Sequence, residues 1–126
     1  MPQLLLEYSA NVIEKDKITA VFPLLHAVLS QDLPAQLGNC KSRAVECKDY
    51  YIADGQSQQA FILVNLTILA GRSEETLQKV GEKLIAVLKQ HFSASLNKLQ
   101  LQIFLEIDVL EKHYFKITSA EPELKL

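Results

Sequence analysis

Long apolar runs are missing from this sequence: stretches such as LLL at 4–6 and FILV at 61–64 are strand-sized, far short of a membrane span. An excess of positive charge is missing too. The formal net charge is −2, which leaves no basic footprint for nucleic acid. No basic stretch followed by an apolar segment opens the chain, so no secretory signal is expected and the cytoplasm is the expected compartment. Cys40 and Cys47 make neither a disulfide framework nor a zinc site. Seven residues apart, they would face opposite ways in one uninterrupted strand, and an inert role is expected. HxxxH, CxxC, GxSxG, GxGxxG and phosphate-loop patterns do not occur. His26, His91 and His113 stand apart from one another and from any acidic residue at ligand spacing, so no metal site is expected.

What remains is an ordinary globular composition. With 126 residues, 48% hydrophobic and 22% charged, a single domain over 1–126 with a real core is expected. QLLLEY at 3–8 reads as a short buried strand with a polar exit at Ser9–Asn11. Ile18, Val21, Phe22, Leu25, Val28 and Leu29 recur at spacings of three and four, drawing one apolar stripe on a helix. Pro23 is tolerable there only if the helix starts near Thr19; otherwise it makes a kink. A loop rich in Pro, Gly and Asn follows at 30–40, then a mixed strand SRAVECKDYYI, closed by the turn signal Asp54-Gly55.

QAFILVNLTILA at 59–70 is the clearest strand, apolar enough to be covered on at least one face. Ser73 is a good N-cap, with Glu74 and Glu75 placed for the positive end of a helix. Leu77, Val80, Leu84, Val87, Leu88 and His91 continue that helix to about Ser93, with His91 expected as a satisfied core or boundary residue. LQLQIFLEIDV at 99–109 alternates as a last strand, and no element is assigned to the tail from Leu110. The order is strand, helix, strand, twice over, with pseudo-repeats at about 2–55 and 59–110. Connections through helices imply parallel pairing within each half: an α/β (α+β) sandwich with helices on one face. The other face of the sheet would stay bare, so an oligomer is expected.

The start MP…LLLEYSAN, KSRA at 41–44, ADG at 53–55, AF at 60–61 and AGRS at 70–73 together resemble the 5-carboxymethyl-2-hydroxymuconate isomerase family. That family sits in the tautomerase superfamily, with 4-oxalocrotonate tautomerase and macrophage migration inhibitory factor as relatives. The resemblance runs in register from Pro2 to about Phe92. It implies tandem β-α-β units forming a four-stranded mixed sheet with two helices on one face, and a homotrimer with active sites between subunits. It also implies a cofactor-free isomerase acting on an unsaturated keto dicarboxylate.

The resemblance gives the proline after the initiator methionine a meaning. A methionine before a small residue is normally trimmed, which would turn the Pro2 nitrogen into a secondary amine able to carry a proton. On this reading Pro2 is the catalytic acid/base, and the substrate-binding residues are Arg72, Arg43, Lys41 and Phe61, the last as an apolar wall beside the proline. Lys41 stands where the family isomerase has an arginine, so it brings charge without the bidentate fork. Glu7 is expected to be structural. With Met1 attached, the Pro2 nitrogen is an amide without basicity. Two other readings stay open: another proline-dependent reaction on the same scaffold, such as hydration or dehalogenation, and a non-catalytic trimeric binding protein.

Overall fold

Strand β1 (Gln3–Ser9) lies inside a four-stranded sheet of order β2-β1-β3-β4, with β2 at Lys41–Cys47, β3 at Gln59–Leu69 and β4 at Gln100–Leu110. The structure, a computed structural model, describes residues 1–119. β1 runs parallel to β2 and β3 parallel to β4, as the helical crossovers require, while β1 and β3 are antiparallel, which makes the mixed sheet that the resemblance implies. Helices α1 (Phe22–Asp32) and α2 (Glu74–His91) pack on one face, joined by the short α3 (Ser93–Lys98).

Alternation builds the core. Leu4 and Leu6 of β1 and Ala60, Ile62, Val64, Leu66 and Ile68 of β3 point to the helices and are buried. Leu25 and Leu29 of α1 and Val80, Leu84 and Leu88 of α2 meet them, with Phe92 closing the layer after α2. Ser73 caps α2 as its sequence indicates, its Oγ accepting from the Thr76 N–H at 3.1 Å.

Two elements differ from expectation. The first helix is split: Ile13–Val21 forms a 3-10 segment interrupted at Glu14 and Lys17, and α1 begins only at Phe22. Pro23 therefore falls in the first turn of α1, where its missing N–H costs nothing. Strand β2 stops at Cys47 instead of running to Ile52, because its single neighbour β1 stops at the paired Ser9. Cys40 precedes β2, so the two cysteines do not share a strand; both are free thiols. Gly55 has φ +81, and a Cβ there would lie 2.7 Å from the Tyr51 ring.

Two buried serines tie the layers together. Ser9 Oγ accepts from the Phe61 N–H at 2.9 Å, ending β1 against β3. Ser95 donates to Glu14 through both its N–H (3.1 Å) and its Oγ (2.6 Å), and that Oγ accepts from the Ile13 N–H (2.9 Å). Ser95→Ala strands the Ile13 N–H and one Glu14 oxygen, so a loss of about 1–3 kcal/mol is expected. Urea unfolding at fixed protein concentration checks this; an unchanged midpoint would show that the clamp contributes nothing.

Candidate active site

Parallel pairing with β2 and antiparallel pairing with β3 bring three chain segments to the start of β1. Gln3 pairs with Lys41 and with Thr67, so the residue before it stands beside the entry to β2 and the exit of β3. Pro2 is buried there, and its carbonyl accepts from the Lys41 N–H at 3.2 Å. A fourth segment arrives from β4. After Leu110 the chain crosses back, and the Met1 amine donates to the Tyr114 Oη at 3.3 Å.

The result is a hollow of about 350 Å³ lined by residues including Met1, Gln3, Asn39, Lys41, Tyr114 and Lys116. Its described lining holds cations and no carboxylate. The Lys41 Nζ donates to the Asn39 backbone oxygen at 3.1 Å, and the Lys116 Nζ donates to the Asn39 Oδ1 at 3.1 Å. Burial first, then the charges of Lys41 and Lys116, hold the Met1 amine below the ordinary α-amino value; Cys40 acts weakly the other way.

Arg72 lies in the turn between β3 and α2, at the same end of the sheet, its Nη1 donating to the Leu69 carbonyl at 3.3 Å. Gly71, with φ +126, sets that turn in a conformation that glycine takes readily. Arg43 is exposed on β2 opposite Leu5, two residues further along the helix-free face than Lys41, and its Nη1 donates to the Gln3 Oε1 at 3.5 Å.

Phe61 is the exception. Tyr8 pairs with Ile62, so Phe61 stands by Ser9 at the far end of β1, roughly 20 Å from the proline of its own chain. It is no wall beside that proline; its ring meets Tyr50 edge-on instead. Sequence reasoning also missed Tyr114 and Lys116. They lie in a tail without hydrophobic period, and only the three-dimensional return of the chain marks them.

The remaining titratable groups stand elsewhere. His26 hydrogen-bonds Ser42 at 2.6 Å between α1 and β2, with burial lowering its pKa. His91 pairs with the Lys17 carbonyl at 3.0 Å, the satisfied boundary role expected of it. Among the described residues, no group of three or more His, Cys, Asp or Glu side chains is placed to hold a metal, and no helix is long and apolar enough to cross a membrane.

A family model described as 5-carboxymethyl-2-hydroxymuconate isomerase matches residues 2–122. The chain belongs to that isomerase family. The Escherichia coli protein named 5-carboxymethyl-2-hydroxymuconate Delta-isomerase is 32% identical over 110 residues, covering 87% of each chain. The crystal structure of a 5-carboxymethyl-2-hydroxymuconate isomerase from Deinococcus radiodurans R1 superposes with a TM-score of 0.84 at 32% identity, over 93% of this chain and 90% of that one. A fused 4-OT wild-type symmetric trimer shares the fold, with a TM-score of 0.59 at 25% identity over 93% and 92% of the two chains. The protein is thus an isomerase with the tautomerase fold.

The electrostatics can be checked without any substrate. A nearby cation disfavours the protonated amine, so removing it must raise the amine pKa. Lys41→Gln, and to a smaller extent Lys116→Gln, should raise the pKa of the Met1 amine, followed by NMR titration of the untrimmed chain. A titration that does not move would disprove the cationic contribution.

Proposed function

We propose that this isomerase works without a cofactor, with Met1 removed and Pro2 as its acid/base. The observation that carries the reading is the chain terminus: a buried proline between Met1 and Gln3, both of which line a cationic hollow where an amine is already held below its ordinary pKa. Trimming would move the amine one residue deeper, among the same groups. An unprotonated secondary amine near neutral pH is a base ready to take a proton from carbon. A protonated proline acting as an acid, as hydration or dehalogenation would need, is disfavoured by the same surroundings.

The proposed substrate is an unsaturated 2-hydroxy or keto acid with several carboxylates, 5-carboxymethyl-2-hydroxymuconate being the named candidate from the relatives. That compound carries a carboxyl at each end of its muconate chain and a third on the carboxymethyl arm, so a dicarboxylate undercounts it. The proline nitrogen takes a proton from the hydroxyl of the 2-hydroxy form, or from carbon in the keto form, and the freed electron pair spreads through the conjugated system as a dienolate. The protonated nitrogen then returns the proton at another carbon. Composition is conserved, and no oxidant or reductant is needed. Arg72 would bind the substrate and polarise its oxygen, and Arg43 with Lys41 would hold a carboxylate.

A homotrimer belongs to the same proposal. The helix-free face leaves Val45 (43% exposed) and Phe104 (46%) uncovered, and Phe115 is 90% exposed beyond it. The fused 4-OT relative is a symmetric trimer. Phe61 can serve a proline only if a neighbouring copy supplies it. A single domain over 1–126 with pseudo-repeats at 2–55 and 59–110, a cytoplasmic setting, and no nucleic-acid or membrane partner complete the reading.

The test is a dienol-to-enone assay followed in the ultraviolet, on protein shown by intact mass to lack Met1. Pro2→Ala should lower kcat by roughly 10²–10⁴-fold, and Arg72→Ala kcat/KM by roughly 10²-fold. A trimmed wild type no faster than solvent on mono- and polycarboxylate dienols would sink the isomerase mechanism proposed for Pro2.

A further inference from the structure

The described residues after β4, 111–119, form no helix or strand, yet their course is fixed at two points. Ala70 donates to the Leu110 carbonyl at 3.2 Å where β4 stops. His113 then adopts φ 62, a left-handed conformation that a non-glycine residue takes only at a cost. Contacts further along must therefore hold that turn. Two of them are Tyr114 with the Met1 amine, a contact that trimming removes, and Lys116 with Asn39, 77 residues away in sequence, which trimming leaves in place.

Asn39 is where two lysines meet. Its backbone oxygen holds the Lys41 ammonium and its side-chain oxygen holds that of Lys116, both at 3.1 Å. The acceptor is a neutral residue, so the two charges repel without a compensating carboxylate from it. The described lining of the hollow supplies no acid. Each ammonium has three donors and gives one to Asn39, so both keep N–H groups for a ligand. An anion is the chemistry this arrangement is built to receive.

Resting on the reading of Pro2 and the polycarboxylate substrate, we infer that Lys116 is a substrate-binding residue, carried to the pocket by the carboxy-terminal tail and positioned by Asn39. With Lys41 it grips a carboxylate remote from the carbon that exchanges its proton. Nothing in the periodicity of the sequence marks this lysine, and its role depends on the tail's return to the chain start.

The test separates this claim from the proline mechanism by using a ligand that cannot react. Adipate, a saturated six-carbon dicarboxylate, is titrated into the Met1-trimmed protein by calorimetry, with hexanoate as the monocarboxylate comparison. Lys116→Gln should weaken adipate binding roughly tenfold, as expected for losing a charged hydrogen bond, and leave hexanoate unchanged. Lys116→Arg should restore most of the adipate affinity. Asn39→Ala should weaken it in the same direction by less. Lys98→Gln, an exposed lysine at the opposite end of the sheet, should change nothing and so controls for loss of one positive charge. In turnover, Lys116→Gln should raise KM for a polycarboxylate dienol by a similar factor with kcat within threefold, and spare a monocarboxylate dienol. Equal adipate affinity in Lys116→Gln and wild type, or no adipate binding by the wild type, overturns the inference. Loss of activity in Pro2→Ala bears only on the base.

Discussion

The position of β1 decides where everything else falls. A strand parallel to one neighbour and antiparallel to the other must begin where the first neighbour begins and the second ends. That rule alone sets Pro2 beside Lys41 and beside the turn that holds Arg72. The parallel β3–β4 pair then ends at the same edge, and its tail reaches the chain start without a long detour. Residues from the beginning, first third, middle and end of the chain meet at one edge because of strand direction.

Electrostatics turns that meeting place into chemistry. A hollow that excludes part of the solvent penalises a charged amine, and neighbouring ammonium groups penalise it further. Those cations also favour a bound carboxylate and the oxygen charge that develops when carbon loses a proton. Both effects have the same sign, so on the proposed mechanism one arrangement of positive charge would prepare the base and receive the acid substrate. Neutral acceptors are needed to hold the lysines in place. An Asp at position 39 would grip them harder, but it would raise the amine pKa and repel the substrate.

Much of this was legible in the sequence, and the limits have physical causes. Strand β3 and helix α2 were plain because a single face is buried along each, and because Ser73 caps where a cap is needed. Parallel pairing followed from the crossovers. The end of β2 was not legible, because an edge strand lasts only as long as its one partner, and SRAVECKDYYI carries no mark of where β1 stops. The start of α1 was blurred because a 3-10 segment presents Ile18 and Val21 to the core almost as a helix would. Phe61 was placed beside the proline on resemblance alone, and strand direction moves it to the opposite end. Tyr114 and Lys116 left no periodic trace, since they are positioned by a long-range hydrogen bond and a strained turn.

The exchange of an arginine for Lys41 now has a physical reading. A guanidinium offers two parallel N–H groups to one carboxylate from a single side chain, whereas an ammonium offers a compact charge with no fork. Two ammoniums fixed by the same asparagine recover a pair of donors at separate points in space. On the proposed reading, such a pair would hold a carboxylate through two separate charges instead of one planar fork. The same charges lower the pKa of the nearby amine, after the larger effect of burial. The cost would be that half of the proposed grip depends on a tail held by a few contacts, so recognition of the remote carboxylate would be tied to the packing of the chain's last described residues.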